Sequence, residues 1–121
     1  MTGKRKELGR EGEKAAAELL QSKGYRILEK NYRTRHGEID IIAARGSLLV
    51  FVEVKTRASA RCGAPEEAVD FRKQQKIRKL AVEYLSKSAG KYYTDLRFDV
   101  AAISVDAAGK IKDIRLYEGA F

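Results

Sequence analysis

The sequence has one cysteine, Cys62, one proline and no tryptophan. With a single thiol the chain cannot form an internal disulfide, and a zinc site built on cysteines is excluded. This cysteine usage fits a reducing cytoplasm, which is the expected compartment. Long apolar runs are also lacking. The longest, residues 48–52, is far too short to span a bilayer, and the basic residues 1–6 lead into a polar helix, so neither a membrane anchor nor a secretory signal is expected.

Acidic side chains are outnumbered: 25 lysines and arginines against 17 aspartates and glutamates give a formal net charge of +8. This excess favours a polyanionic partner, and nucleic acid is preferred to a membrane surface because no basic amphipathic helix with Trp or Phe is evident. The alternative is that the charge only confers solubility. The length of 121 residues suits a single domain, 1–121.

Two short runs rich in Ile, Val and Phe, on either side of Gly46-Ser47, predict a β-hairpin. Gly46-Ser47 suits a two-residue turn because glycine at the first central position tolerates a positive φ. With this dipeptide as the loop, counting back along both strands places Asp40 opposite Glu53 on one face of the sheet. Strand alternation puts Lys55 on the same face.

The opposed carboxylates of Asp40 and Glu53 repel each other, so their pairing should lower stability unless positive charge offsets it. A divalent cation with oxygen ligands would do so, and a nearby ammonium group would help. The register is an assumption, because a loop one residue longer or shorter would separate the two acids. With the two-residue loop, the pattern predicts a cation site.

Asp40 followed, after a hairpin-sized gap, by Glu53-Val54-Lys55 resembles the PD-(D/E)xK motif of restriction-endonuclease-like nucleases. The first letter of the motif stands for a proline before the aspartate, whereas Ile39 precedes Asp40 here. This position has a structural role in the motif, so the difference does not affect the candidate catalytic residues. The wider sequence is similar to the YraN-like family of small bacterial predicted nucleases, on residues 31–33, 37–43 and 52–57. The similarity extends from residue 9 to residue 99. It implies a restriction-endonuclease-like fold and a metal-dependent endonuclease, with similarity also to archaeal Holliday-junction resolvases.

The resemblance also implies roles for individual residues. Asp40 and Glu53 would bind one or two Mg²⁺ or Mn²⁺ ions, with the backbone carbonyl of Val54 as a further ligand. Lys55 would act on the attacking water or on the transition state. Some resolvase-type relatives carry a metal-binding glutamate on the first helix, and Glu13 is the matching position; its alternative is a solvated helix residue. DNA, including branched DNA, and a homodimer are implied as partners.

Periodicity and breakers predict the element order α-β-β-β-α-β-β. The expected helices are 7–23 and 71–87, the second with Asp70 as N-cap. The expected strands are 25–32, the two halves of the hairpin, 95–105 and 111–117. A crossover through the second helix predicts a parallel βαβ unit. The expected class is therefore α/β, with a central mixed β-sheet flanked by helices.

The first turns of the second helix carry basic residues without an acid between them. Such a run is usually a solvated helix face, but its place after the motif strand favours contact with phosphate. His36, the only histidine, lies in a polar loop and is expected at the surface. The loop-like residues 58–65 are either an ordinary connection or a flexible cover for the substrate. The candidates for nucleic-acid binding are Arg57, Arg72, Lys73 and Lys76.

Two other functions stay open. A non-catalytic nucleic-acid-binding module on the same fold would normally lack one of Asp40, Glu53 and Lys55, and all three are present. A structural or interaction protein, in which Glu53 and Lys55 solvate an exposed sheet face, leaves the opposed acids unexplained. The preferred interpretation is a metal-dependent nuclease.

Overall fold

A computed structural model of the chain describes residues 2–58, 69–87 and 93–121. The predicted order of elements is confirmed, and the helix after the hairpin and the two strands that follow it have the predicted bounds. The first helix begins at Thr2 rather than at residue 7, since its first turns consist mostly of Lys, Arg and Glu, which are good helix formers. Apart from Ala58, the loop predicted at 58–65, with Cys62, lies outside the described residues. The elements are α1 (Thr2–Ser22), β1 (Arg26–Thr34), β2 (Gly37–Arg45), β3 (Leu48–Arg57), α2 (Phe71–Lys87), β4 (Asp95–Val105) and β5 (Ile111–Tyr117).

The five strands form one mixed sheet in the order β1-β2-β3-β4-β5. Neighbouring strands are antiparallel except for β3 and β4, which are parallel and flank α2 in the chain. A parallel pair needs a long crossover connection, and the segment containing α2 supplies it. In the part of the chain that the structure describes, no helix combines the length and the hydropathy that a membrane span requires.

Each face of the sheet is covered by one helix. Leu20 of α1 lies in a core with Val50 and Val52 of β3, whereas Leu80 of α2 lies in a second core with Phe51. Because successive strand residues point to opposite faces, the two helices lie on opposite sides of the sheet. The predicted α/β class is confirmed, and this architecture is compatible with the restriction-endonuclease-like fold.

The hairpin between β2 and β3 has the predicted two-residue loop. Arg45 pairs with Leu48, and the ladder continues without a shift to Ile41 and Val52. Gly46, at the first loop position, has a φ of +61°, a conformation that costs glycine little. The local turn chemistry therefore sets the register that brings the ends of the two strands together.

The regular alternation of β2 breaks at Asp40. Ile41 belongs to the core on the α1 face, yet Ile39, two residues away, belongs to the core on the α2 face. On the neighbouring strand β1, the irregular residue is Asn31, which has a φ of +52°. It lies between Lys30, which pairs with Ile41, and Tyr32, which pairs with Ile39. A single left-handed residue, which asparagine tolerates, redirects the side chains that follow it. Asp40 therefore lies at a kink rather than within a regular ladder.

Arg97 and Asp99 of β4 form a buried ion pair that connects this strand to its surroundings. Asp99 is fully buried and accepts two hydrogen bonds of 2.9 Å from the guanidinium of Arg97 and one of 3.0 Å from the backbone N–H of Gly119. Arg97 also donates to the hydroxyl of Tyr25 at 2.6 Å. Because a buried carboxylate is stable only when its oxygens are paired, this network is structural and distinct from the Asp40 region.

Helix α1 approaches β3 closely at Gly12. A β-carbon at this position would collide with the hydroxyl of Thr56 and would lie 3.2 Å from Ile103 Cδ1. Thr56 is β-branched, so it has few rotamers with which to give way. The absence of a side chain at Gly12 therefore lets α1 lie against the sheet and fixes the position of the next residue, Glu13.

Two glycines on α1 provide a matched test of this close approach. Gly9→Ala should raise the free energy of unfolding by about 0.5–1 kcal/mol, because alanine favours a helix and nothing lies within 4 Å of the new methyl group. Gly12→Ala gains the same helix propensity but overpacks the contact with Thr56, so a net loss of about 1 kcal/mol is expected. Urea unfolding measures both, and equal gains at the two positions would contradict the close approach.

Candidate active site

The carboxyl groups of Asp40 and Glu53 meet at the kink of β2. Asp40 Oδ2 accepts a hydrogen bond of 2.7 Å from the backbone N–H of Val54, and its carboxyl group lies close enough to that of Glu53 to raise the pKa of Glu53. Their register follows from the hairpin ladder, which ends one pair earlier, at Ile41 and Val52. The predicted juxtaposition of the two acids is confirmed.

Burial and proximity destabilise the charged form of Glu53. Its side chain is only 7% exposed. Burial, and after it the negative charge of the neighbouring Asp40, together raise the pKa of Glu53 to about 7, although the ammonium group of Lys73 acts in the opposite direction. Glu53 therefore exchanges a proton near neutral pH, and a positive charge brought to this pair would favour the ionised form.

Lys73 of α2 reaches this acid pair. Its Nζ donates a hydrogen bond of 3.0 Å to Glu53 Oε1. Its backbone N–H is held at 2.9 Å by Asp70 Oδ1, which confirms Asp70 as the N-cap of α2. The nucleic-acid contact predicted for Lys73 stays a prediction. In this structure its ammonium group contacts Glu53, because the phase of α2 turns this residue towards the sheet.

Lys55 follows Glu53 on the same face of β3. Val52 and Val54 pack on the α1 side, so alternation assigns Glu53 and Lys55 to the α2 side. Lys55 is half-buried and makes no hydrogen bond or ion pair with another described residue. Its ammonium group is therefore available to a substrate that approaches the acid pair.

Glu13 faces the site from α1. It is half-buried, and burial raises its pKa, with the charge of Asp40 adding to the rise and the neighbouring Asn31 opposing it. Within residues 2–58, 69–87 and 93–121, however, no group of three or more His, Cys, Asp and Glu side chains is arranged to hold a metal ion. The structure thus brings Asp40 and Glu53 together and leaves Glu13 near Asp40 without completing a three-carboxylate cluster.

The remaining basic candidates are spread along a cleft beside the acids. Arg72 and Lys76 are exposed and line this cleft together with Lys73 and the start of β2. Arg57 is half-buried at the end of β3. His36 is exposed, as predicted, with Nδ1 2.9 Å from a carboxylate oxygen of Glu83. Lys73 is the residue that links this cleft to the acid pair, because it lines the cleft and contacts Glu53.

A family model described as "Uncharacterised protein family UPF0102" matches residues 12–103. The chain belongs to this family. It is 48% identical to the UPF0102 protein of Moorella thermoacetica over 121 residues, with all of both chains covered. It is also 54% identical over 98 residues to a UPF0102 protein of Thermodesulfovibrio yellowstonii, covering 81% of this chain and 86% of that protein. The similarity to the YraN-like family, which is UPF0102, is confirmed.

Among solved structures, the SfsA protein of Pyrococcus furiosus, in complex with Ca²⁺, superposes with a TM-score of 0.43 at 15% sequence identity. The superposition covers 91% of the UPF0102 chain and 63% of SfsA, so the chain spans less than two thirds of that protein.

The donor set of this UPF0102 protein fits a hard divalent cation. Mg²⁺ is commonly bound through one or two carboxylates and keeps several waters, so Asp40 and Glu53 are a sufficient protein contribution. The adjacent main-chain carbonyl of Val54 would be a third oxygen. The acid pair already draws a cationic partner, Lys73, which shows that this position attracts positive charge.

Sequence reasoning missed two features of the site. The sequence placed Asn31 only within a family segment, although its positive φ marks the kink opposite Asp40 and it lies close enough to Glu13 to affect the pKa of that carboxyl group. Asparagine is the non-glycine residue most tolerant of a positive φ, so its place inside a β-branched and aromatic run was an available signal. The contact of Lys73 with Glu53 had no comparable signal, since it depends on the rotation of α2.

The raised pKa of Glu53 predicts how the stability of the metal-free protein depends on pH. Between pH 4.5, the ordinary value, and about 7, the folded protein retains a proton that the unfolded chain releases. The free energy of unfolding should therefore fall as the pH rises through this window, by at most about 1.4 kcal/mol per pH unit. Glu53→Gln should remove this contribution. Urea unfolding in EDTA at pH 5 to 8 measures it.

The same substitution at an exposed glutamate of α1, Glu18→Gln, provides the control and should keep the wild-type slope. Parallel pH profiles for wild type and Glu53→Gln would show that Glu53 does not titrate in this range.

Proposed function

We propose that this UPF0102 protein is a metal-dependent endonuclease that hydrolyses phosphodiester bonds of DNA, with branched DNA among its substrates. The observation that carries the proposal is the proximity of the Asp40 and Glu53 carboxyl groups, with Asp40 bonded to the backbone of β3 at Val54 and Lys55 next on the same face as Glu53. Two carboxylates in contact are costly unless they serve a cation, and an amine beside them is suited to a phosphate or to an attacking water.

The residues divide the work as follows. Asp40 and Glu53, with the Val54 carbonyl, would hold Mg²⁺ or Mn²⁺. When bound, the ion supplies positive charge that stabilises the developing charge on the phosphoryl group and makes water a better nucleophile. Lys55 would orient that water or stabilise the transition state. Glu13 would act from α1, through Asp40 or through a water between them.

The binding surface for DNA would be the cleft beside α2. Arg72 and Lys76 are exposed along it, and the net charge of +8 favours a polyanion. Phosphates that follow the helix would pass the start of β2 and reach Lys55 and the acid pair. Arg57, at the end of β3, would contact the same strand farther along.

A non-catalytic nucleic-acid-binding module is the second candidate. The ion pair between Lys73 and Glu53 favours it, because a side chain that already neutralises Glu53 satisfies the acid pair without a metal. The two functions assign different roles to the acid pair. In the binding module Asp40 and Glu53 would only stabilise the fold, whereas in the nuclease they would be required for cleavage.

Cleavage assays distinguish these functions. Single-stranded, duplex and four-way-junction DNA, with RNA counterparts, would be incubated with Mg²⁺ or Mn²⁺. Asp40→Ala, Glu53→Ala and Lys55→Ala should each lower the cleavage rate at least about 100-fold, because each removes charge stabilisation at the reacting phosphate. Affinity for nucleic acid should be largely retained.

Thermal unfolding with each ion is the matched control. A rise in Tm with Mg²⁺ or Mn²⁺ should disappear in Asp40→Ala, since only binding to the native state stabilises it. Cleavage by all three variants at the wild-type rate would mean that the site is elsewhere; binding without cleavage by the wild-type protein would favour the non-catalytic module.

The cleft beside α2 makes a separate prediction about binding. Arg72→Ala and Lys76→Ala should each weaken DNA binding and reduce the slope of log affinity against log salt by about 1, because each removes one phosphate contact. Fluorescence anisotropy across a salt series measures both quantities. Arg115→Ala, an exposed arginine on the edge strand β5, is the control and should change neither. Unchanged slopes for the α2 variants would remove this helix from the interface.

A further inference from the structure

Among the basic residues that line the cleft, Lys73 forms an ion pair with a carboxylate of the candidate active site. Arg72 and Lys76 are exposed, whereas Lys73 donates its ammonium hydrogen bond to Glu53 Oε1 at 3.0 Å. The carboxylate is 7% exposed and the lysine side chain 40% exposed. One end of this ion pair is therefore buried in the candidate active site, and the other opens into the cleft.

The ion pair occupies an oxygen that a divalent cation would need. Glu53 has two carboxylate oxygens; the contact with Asp40 and the contact with Lys73 already engage the group. A second cation at the same carboxylate would be repelled by the ammonium group. Metal and Lys73 are thus competitors for Glu53.

Displacement of Lys73 requires only side-chain motion. Its backbone is fixed by the hydrogen bond to Asp70 Oδ1 at the N-cap of α2. The side chain beyond it is a flexible four-carbon stem that can move its ammonium group by several ångströms. Since Lys73 lines the cleft with Arg72 and Lys76, the released group would face the surface proposed for DNA.

We propose that Lys73 is a shared cation, which neutralises Glu53 when no metal is bound and transfers to a nucleic-acid phosphate when a divalent ion takes the acid pair. This inference rests on the proposed metal site and deepens it. Its consequence is coupling: metal binding frees a phosphate ligand, so metal and DNA each raise the affinity of the protein for the other by the same factor. Lys73 is a positioning residue in this scheme and takes no part in bond cleavage.

The first measurement is metal affinity without nucleic acid. Titration of the full chain with Mn²⁺ by calorimetry should show at least about fivefold tighter binding to Lys73→Met than to wild type, because the competitor is gone. Lys76→Met, which removes the same charge one turn away in the same cleft, controls for general electrostatics and should change the affinity by less than about twofold. Lys73→Arg keeps a positive competitor and should remain close to wild type.

The second measurement is the coupling itself. Affinity for a labelled DNA duplex would be measured with EDTA and with Ca²⁺ at constant ionic strength, with the DNA checked for integrity on a denaturing gel. Ca²⁺ should strengthen binding to wild type by at least about fivefold more than to Lys73→Met. Lys76→Met should bind DNA more weakly in both conditions and keep the wild-type ratio.

Neither measurement uses cleavage, so the outcomes separate the two proposals. Equal Mn²⁺ affinity for wild type and Lys73→Met, or equal coupling, would overturn the shared-cation role while leaving the nuclease proposal intact. If neither the wild-type protein nor any variant bound Mn²⁺, both the shared-cation role of Lys73 and the proposed metal site would be overturned. The expected differences would support it even in a protein that does not cut DNA.

Discussion

The contact between Asp40 and Glu53 is the constraint on which the other features of the site depend. Glu53 is buried and lies beside the half-buried Asp40, so ionisation of both carboxyl groups is unfavourable without a compensating positive charge. Two features of the structure reduce this cost: the raised pKa of Glu53, which favours its protonated form, and the ammonium group of Lys73; the proposed divalent cation would be a third. The chemistry of this UPF0102 protein follows from which of these three is present.

The fold creates the contact by interrupting its own regularity. Ile39 and Ile41 belong to cores on opposite faces of the sheet, so Asp40 lies at the point where strand alternation changes, opposite the left-handed Asn31. There its side chain, rather than a backbone carbonyl, accepts the N–H of Val54. Glu13 from α1 and Lys73 from α2 can approach the same pair from opposite sides of the sheet because of this kink.

Family membership and geometry answer different questions. The match to UPF0102 over residues 12–103 identifies relatives, and the α/β sheet with one helix on each face agrees with the expected architecture. Neither observation reports a reaction. The electrostatics of a few side chains favour phosphodiester hydrolysis, and the ion pair of Lys73 with Glu53 is the feature that both candidate functions must explain.

The sequence by itself determined the element order and the hairpin, because periodicity, the Gly46-Ser47 turn and the Asp70 cap are local signals read over a few residues. Once the loop had two residues, counting brought Asp40 to the level of Glu53, although the hairpin ladder ends one pair earlier and strand alternation changes at Asp40. Only the tertiary structure decided the partner of Lys73, the kink at Asn31 and the distance of Glu13 from the acid pair. These features depend on how the apolar faces of α1 and α2 pack against the sheet. The rotation of a packed helix is set by contacts between residues that are distant in the sequence, so local sequence patterns do not predict it.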